Sequence, residues 1–128
     1  MKISIVMPVY NEKETLEKIT SKVLSINNVL ELIIVDDRST DGSREIITKL
    51  EDLRIVKILS EKNSGKGASL RKGFEKVRGD IVIIQDADLE YNPDEYTKLT
   101  KPIEEGKADV VYGSRFIGET HRVLLFWH

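Results

Sequence analysis

The 128-residue sequence contains no cysteine and only two histidines, His121 and His128. The lack of cysteine excludes disulfides, thiolate nucleophiles and cysteine-ligated metals. Because both histidines lie close to the C-terminus, we expect neither a histidine-based metal site nor a Ser-His-Asp triad. The sequence also has no excess of positive charge, because it contains 20 basic and 22 acidic residues and its net charge is −2. This balance argues against binding of nucleic acid by phosphate neutralisation.

Long apolar runs are also missing. No segment approaches the roughly 20 apolar residues of a membrane span. Met1 leads directly into a strand-like segment, so we expect no secretion signal. The hydrophobic share of 40% is enough for one buried core, and the length predicts a single domain over residues 1–128.

What the sequence does contain is a regular alternation of strand-like and helix-like segments. The apolar, β-branched segments predict five strands, at residues 3–9, 32–35, 54–59, 81–84 and 109–112. Apolar residues at helical spacing predict helices between them. The first helix covers about residues 13–26. The second has Asp41 as its N-cap and buries Ile46, Ile47 and Leu50 on its inner face. The third ends at Gly79, and the fourth begins at Asn92-Pro93. This order predicts an α/β fold, with a mostly parallel sheet and helices on both faces.

In parallel sheets, ligands bind beyond the carboxyl ends of the strands, so the loops there are the candidate site. The strongest signal follows the fourth strand, where Asp86, Asp88 and Glu90 are spaced two apart and would face the same side. Carboxylates at a buried strand end are costly, and a divalent cation with oxygen ligands removes that cost. The alternative is a solvated acidic turn.

The other strand ends carry weaker signals, each with an ordinary alternative. Tyr10 beside Glu12 could hold a planar ring and a ribose, although a simple turn explains the segment as well. One carboxylate of the Asp36-Asp37 pair could accept a hydrogen bond from a base or a ribose. Lys66 lies in a loop that fits either a flexible connection or an anion site. Arg115 fits either a diphosphate clamp or a surface ion pair.

Taken in order, these motifs resemble family 2 glycosyltransferases with the GT-A fold, and they are most similar to the polyprenol-phosphate (dolichol-phosphate) sugar synthases. The resemblance covers nearly the whole chain. The blocks that carry it are Met7 to Glu12, Ile34 to Asp37, Ser39, Asp41-Gly42, Asn63 to Gly67, Gly79-Asp80, Asp86 to Glu90, Asn92-Pro93 and Gly113 to Phe116.

The resemblance implies roles for individual residues. Asp86, Asp88 and Glu90 would hold Mg²⁺ or Mn²⁺, with Glu90 standing where this subgroup often has glutamine. Asp88 and Arg115 would be the catalytic residues. The nucleotide-sugar would be bound by Pro8, Tyr10, Glu12, Val35, Asp37, Lys66, Asp86, Ala87, Asp88 and Arg115.

The activity implied by the resemblance is metal-dependent transfer of a hexose, with inversion, from a UDP- or GDP-sugar to a polyprenyl phosphate or a saccharide. It implies a cytoplasmic protein at the cytoplasmic face of the membrane, with peripheral membrane contact and without nucleic acid. A nucleotide-binding fragment that has no transferase activity of its own is the main alternative. A sugar-nucleotide pyrophosphorylase is disfavoured, because residues 8–12 contain no glycine. A receiver-type signalling domain would need its acidic pair after the first strand.

Related catalytic domains continue for about a hundred further residues, so the resemblance also implies that the acceptor half is missing. The apolar run at residues 123–127 agrees with this expectation, because an apolar terminus is normally covered. We expect it to pack on the sheet or to pair with a second copy in a homo-oligomer, ahead of touching a membrane surface.

Overall fold

The computed structural model describes residues 2–88, 93, 96, 98, 100–101, 110–113 and 123–127. Strands and helices alternate along the chain as the sequence predicts. The elements are β1 (Ile3–Val9), α1 (Leu16–Leu24), β2 (Val29–Asp36), α2 (Ser43–Lys49), β3 (Ile55–Leu59), α3 (Lys66–Phe74), β4 (Ile81–Ile84), β5 (Val110–Gly113) and β6 (Val123–Trp127). Within these ranges no helix is long and apolar enough to cross a membrane.

The strands form one sheet in the order β3-β2-β1-β4-β6-β5. The pairs β1–β2, β1–β4 and β2–β3 are parallel, whereas β6 is antiparallel to both β4 and β5. The prediction of a mostly parallel α/β sheet is therefore confirmed. The prediction of five strands is wrong by one, because the apolar run at residues 123–127 is itself a strand.

Strand β6 lies between β4 and β5 and pairs along both of its edges. Its register joins Ile81 to Trp127 on one side and Gly113 to Val123 on the other. The backbone of this segment is thus part of the sheet itself, in line with the first of the expected alternatives. Self-association or membrane contact through this segment stays a prediction.

The central strands are buried on both faces, as continuous apolar runs predict. Helices α1 and α2 pack on one face with Leu16, Ile19 and Ile47 in the core. Helix α3 packs on the opposite face through Leu70 and Phe74. Helices therefore cover both faces, as expected from the alternation.

Two predicted helix ends differ from the structure. The N-cap of α2 is Gly42 at φ +106°, a left-handed conformation that favours glycine, and Asp41 instead accepts a hydrogen bond from the Ser43 N–H at 2.9 Å. Helix α3 ends at Phe74, well before Gly79. Gly79 lies against β1, where an added Cβ would come within 2.6 Å of the Ser4 hydroxyl oxygen, so it permits close packing instead of capping a helix.

Candidate functional site

A cavity of about 260 Å³ opens at the carboxyl end of the sheet. It lies where β1 and β4 meet, at the point where the order of strand addition reverses, which is the usual ligand position in open α/β sheets. Among the described residues its lining consists of Pro8, Val9, Tyr10, Glu12, Asp37, Lys66, Ser69, Asp86, Ala87 and Asp88.

The loop after β1 is fixed by the loop after β2. The Asn11 N–H donates to the Ser39 hydroxyl at 2.9 Å, and the Glu12 N–H donates to the Ser43 hydroxyl at 2.9 Å. Asn11 adopts φ +53°, a conformation that asparagine tolerates better than most residues. These contacts hold Tyr10 and Glu12 at the wall of the cavity, where the Tyr10 side chain is about half exposed.

The loop after β4 is held from two sides. The Thr15 hydroxyl donates to the Ala87 carbonyl, which ties the start of α1 to this loop. Gln85 is fully buried and accepts a hydrogen bond from the Tyr96 hydroxyl at 2.6 Å. Asp86 and Asp88 are therefore presented from a loop that is anchored on both flanks.

The two acidic residues after β2 have different surroundings. Asp36 is fully buried, and its Oδ2 accepts hydrogen bonds from the Arg44 Nε at 2.9 Å and from the Ser39 N–H at 3.2 Å. Asp37 lines the cavity, and its two oxygens accept the Ser64 and Gly65 N–H groups at 2.8 and 2.9 Å. Only one of the pair therefore faces the site.

One ion pair crosses the cavity. The Lys66 Nζ lies 2.7 Å from the Asp86 Oδ1, so the first residue of α3 reaches the loop after β4. A lysine in this position supplies positive charge to a cavity whose other charged lining residues, among those described, are carboxylates.

The carboxylates influence one another. Burial raises the pKa of Glu12 above its ordinary value of 4.5, and the negative charges of Asp88 and Asp86 raise it further. Outside the cavity, burial also acts to raise the pKa of Asp41, but hydrogen bonds from Ser43 and the Lys13 N–H outweigh it and leave that pKa lowered. The carboxylates of Glu12, Asp86 and Asp88 repel one another on the cavity wall, and a bound cation would reduce this repulsion.

The structure brings together most of the residues that the sequence singles out. The cavity gathers eight of them, namely Pro8, Tyr10, Glu12, Asp37, Lys66, Asp86, Ala87 and Asp88. Glu90 and Arg115 lie outside the described residues.

Val35 is the exception, because it does not line the cavity. Its side chain is fully buried and packs in the core with Val6 and Ile33 beneath α3. Residues two apart on a strand share a face, so Val35 faces the same helix as Ile33. Its proposed contact with the nucleotide stays a prediction.

Two lining residues, Val9 and Ser69, were not predicted. Ser69 is buried, and its hydroxyl has no hydrogen-bond partner among the described residues. It lies three residues after Lys66 in α3, and residues three apart share a helix face. This spacing is the signal that could have identified it.

The described residues contain no group of three histidine, cysteine, aspartate or glutamate side chains close enough to hold a metal ion. Asp86 and Asp88 are two carboxylates on one cavity wall. Mg²⁺ commonly takes one or two carboxylates together with substrate phosphate oxygens. The oxygen donors present therefore fit a divalent ion that a phosphate ligand helps to bind.

Comparison with known proteins gives consistent results. The chain is 38% identical over 117 residues to undecaprenyl-phosphate 4-deoxy-4-formamido-L-arabinose transferase from Salmonella choleraesuis, a match that covers 86% of this chain and 36% of that protein. The protein of the same name from Yersinia pestis is 40% identical with the same coverage. The chain thus spans about a third of the length of these curated relatives.

Solved structures show the same fold. S. aureus TarS 1-349 in complex with UDP superimposes with a TM-score of 0.72 at 25% identity, over 86% of this chain and 34% of that one. The mannosyltransferase PcManGT from Pyrobaculum calidifontis, in complex with GDP-Man and Mn²⁺, gives a TM-score of 0.75 at 22% identity over 98% of this chain and 44% of that one. The GT-A fold class expected from the sequence is confirmed. Residues 4–128 match the family described as "Glycosyl transferase family 2", and the chain therefore belongs to glycosyltransferase family 2.

Proposed function

We propose that residues 1–128 form the donor-binding part of a metal-dependent, inverting glycosyltransferase that transfers a hexose from a nucleotide-diphospho-sugar to a polyprenyl phosphate. The observation that carries the proposal is the cavity at the carboxyl end of the sheet. It combines an accessible aromatic ring, Tyr10, with the cation Lys66 and the carboxylates Asp86 and Asp88. A nucleotide-sugar needs a stacking surface, a partner for its diphosphate and a means of neutralising the leaving charge.

The names of similar proteins support an undecaprenyl-phosphate acceptor, whereas the sugar in the names of these relatives is a substituted arabinose, a pentose, and not a hexose. Two relatives at 38% and 40% identity are named as transferases to undecaprenyl phosphate. The structural neighbours include one complex with UDP and one with GDP-Man and Mn²⁺. A lipid-linked acceptor would place the protein at a membrane surface, and the family resemblance implies that this is the cytoplasmic face.

Within the cavity, the chain's own residues have distinct tasks. The Tyr10 ring offers a face on which a base can stack. Lys66 supplies a positive charge for a diphosphate oxygen. Asp86 and Asp88 would hold Mg²⁺ or Mn²⁺, which, when bound, neutralises negative charge on the leaving diphosphate.

The reaction breaks the bond between the anomeric carbon and the diphosphate oxygen, which leaves with the electron pair. An acceptor oxygen forms the new bond from the opposite face, so the anomeric configuration inverts. The attacking oxygen of a polyprenyl phosphate is already anionic near neutral pH. No residue of the chain then needs to act as a general base, whereas a hydroxyl acceptor would require one.

The second candidate function is nucleotide binding without transfer by this chain alone. It is favoured by the coverage of the relatives, since the chain spans 36% of their length. Both candidates require the same donor site, and they differ only in turnover.

Calorimetric titration with UDP and GDP, with and without Mn²⁺, tests the donor site. We expect the parent chain to bind at least one of them more tightly with Mn²⁺, and Asp88→Asn to bind about tenfold more weakly in Mn²⁺, a loss of about 1.4 kcal/mol. Asp80→Asn is the matched control, because Asp80 is exposed at the opposite end of the sheet.

The outcomes separate the two candidates. Absence of metal-dependent binding to either nucleotide would refute the donor site. Equal affinity of Asp88→Asn and the parent in Mn²⁺ would show that Asp88 is not a metal ligand. Binding without transfer of glucose or mannose to a polyprenyl phosphate would favour the second candidate.

A further inference from the structure

A buried hydroxyl group belongs to the lining of the cavity at the carboxyl end of the sheet. Ser69, in the first half of α3, lines this cavity and is 2% exposed. Its Oγ forms no hydrogen bond with any residue that the structure describes. An unpaired hydroxyl in a buried position is costly, and most buried polar groups in proteins have a partner. The position of this serine therefore calls for a partner that the chain itself does not supply.

Ser69 lies on the face of α3 that packs against the sheet. Gly73, four residues later and thus on the same face, packs against Val6 of β1 and Val35 of β2. Because α3 runs from the carboxyl end of the sheet back to the start of β4, Ser69 lies about 6 Å nearer to the carboxyl end than Gly73. Asp37 lies about 6–7 Å beyond Val35 in the same direction. Ser69 and Asp37 are therefore at the same level of the cavity.

The cavity has a buried end and an open end. Asp37 and Ser69, at the buried end, are only 5% and 2% exposed, whereas the Lys66 side chain at the open end is 57% exposed. Lys66 and Asp86 carry the charges that suit a diphosphate and a cation. A nucleoside diphosphate carries its base and its second phosphate at opposite ends. With the diphosphate beside Lys66, the base therefore lies beside Asp37 and Ser69.

We propose that Ser69 is a specificity-determining residue of the donor site, whose hydroxyl donates a hydrogen bond to a ring carbonyl of the nucleobase. A serine side chain turns about a single bond between three staggered positions, so a residue that lines the cavity can direct its hydroxyl toward a ligand. Uracil and guanine each carry a ring carbonyl next to a ring N–H. The inference rests on the proposed function in taking the ligand to be a nucleoside diphosphate.

Asp37 complements this contact. Its two oxygens accept the Ser64 and Gly65 N–H groups, but a carboxylate offers about four acceptor sites. Asp37 thus keeps the capacity to accept the ring N–H, in agreement with the nucleoside contact that the family resemblance implies for it. Together, the donor Ser69 and the acceptor Asp37 match an adjacent carbonyl and N–H on the edge of the base.

The contact is tested with Ser69→Ala, which removes one atom and introduces the best helix former. We expect the variant to bind UDP or GDP, whichever the parent binds in Mn²⁺, about three- to tenfold more weakly in calorimetric titrations. The corresponding nucleoside, followed by NMR titration, should lose affinity by the same factor, because the contact is to the base. Ser21→Ala is the matched control and should bind as the parent does, since Ser21 is exposed on α1 and lies outside the cavity lining.

Analogues of the nucleotide test which group the hydroxyl contacts. In 2-thio-UDP, 4-thio-UDP or 6-thio-GDP, sulfur replaces a ring carbonyl oxygen, is a weaker acceptor and leaves the ring N–H in place. The parent should bind at least one of these analogues more weakly than the natural nucleotide, and Ser69→Ala should no longer discriminate against it. Removal of both ribose hydroxyls, in the 2′,3′-dideoxy analogue, should cost the parent and the variant the same factor.

Three results would overturn the proposal. The first is equal affinity of Ser69→Ala and the parent for the natural nucleotide, which would refute the contact while leaving the donor site intact. The second is a loss confined to the diphosphate form, which would move the hydroxyl to the phosphates. The third is a dideoxy penalty that disappears in Ser69→Ala, which would move it to the ribose. A parent chain that binds neither UDP nor GDP would instead refute the proposed function, and the role of Ser69 with it.

Discussion

Glu12 carries a cost to stability that depends on pH. Burial, followed by the charges of Asp88 and Asp86, raises the pKa of its carboxyl group above 4.5 in the folded chain. Between that value and the raised pKa, the folded state binds more protons than the unfolded one, so the stability contributed by this group falls as the pH rises.

We therefore predict that Glu12→Gln raises the melting temperature of the ligand-free chain by about 1–3 °C near pH 7. Glutamine cannot ionise and has nearly the same size and shape as glutamate. The gain should shrink toward zero near pH 3, where the carboxyl is protonated in both states. Calorimetric scans of parent and variant across this range measure it, with exposed Glu14→Gln as the control. A difference that does not change with pH would contradict the prediction.

At the residue scale, the sequence located the site through its strand ends. Asp86, Asp88 and Tyr10 directly follow or adjoin buried strands, and parallel strands bring their carboxyl ends to one edge. The side-chain contacts beyond that were not predictable. Asp36 and Asp37 are adjacent and chemically identical, and only the positions of Arg44 and Gly65 distinguish the ion pair from the loop contact.

At the scale of elements, the packing of α3 on the sheet depends on one glycine. Gly73 is buried, and a Cβ added there would come within 2.5 Å of the Val6 Cγ1 and 3.3 Å of the Val35 Cγ2. Both valines belong to the fully buried core beneath the helix, so they have little room to move.

We predict that Gly73→Ala lowers the free energy of unfolding by about 1–3 kcal/mol, because overpacking outweighs the gain in helix propensity. Gly67 in the same helix provides the matched control. A Cβ there would meet only the flexible Arg71 side chain, at 3.7 Å. Gly67→Ala should be neutral or stabilise by up to about 1 kcal/mol in urea unfolding. Equal effects of the two substitutions would show that the close approach at Gly73 is not limiting.

The sequence predicted elements more reliably where their neighbours along the chain are also neighbours in space. The alternation from β1 to β4 was correct because each helix returns the chain to a parallel strand nearby. Strand β6 was missed, because its insertion between β4 and β5 depends on pairing between segments distant in sequence. The apolar residues at 123–127 indicated that the segment packs against another part of a protein, but they did not identify its partner strands.

At the scale of the whole molecule, the two ends of the sheet have different tasks. The carboxyl end carries the cavity, whereas the amino end carries a buried network around Glu31. Glu31 is fully buried and accepts hydrogen bonds from the Ser4 hydroxyl at 2.6 Å and from the Arg78 N–H at 2.7 Å. The Ser4 hydroxyl in turn accepts the Gly79 N–H at 2.8 Å. This network joins β1, β2 and the turn before β4.

The separation of the two ends leads to a prediction for Glu31→Ala. The Arg78 side chain is 70% exposed and can return to water, so the main cost comes from the Ser4 hydroxyl and the Arg78 N–H, which lose their acceptor. At about 1–3 kcal/mol for each of the two unsatisfied groups, we expect a loss of about 2–6 kcal/mol in the free energy of unfolding, measured with urea. Glu31→Gln keeps the shape and one acceptor oxygen, so its free energy of unfolding should fall by less.

Because Glu31 lies about 16 Å along β2 from Asp36, both variants should bind nucleotide within about twofold of the parent at low temperature. A fall in affinity that follows the loss of stability would instead show that the amino end holds the cavity in shape.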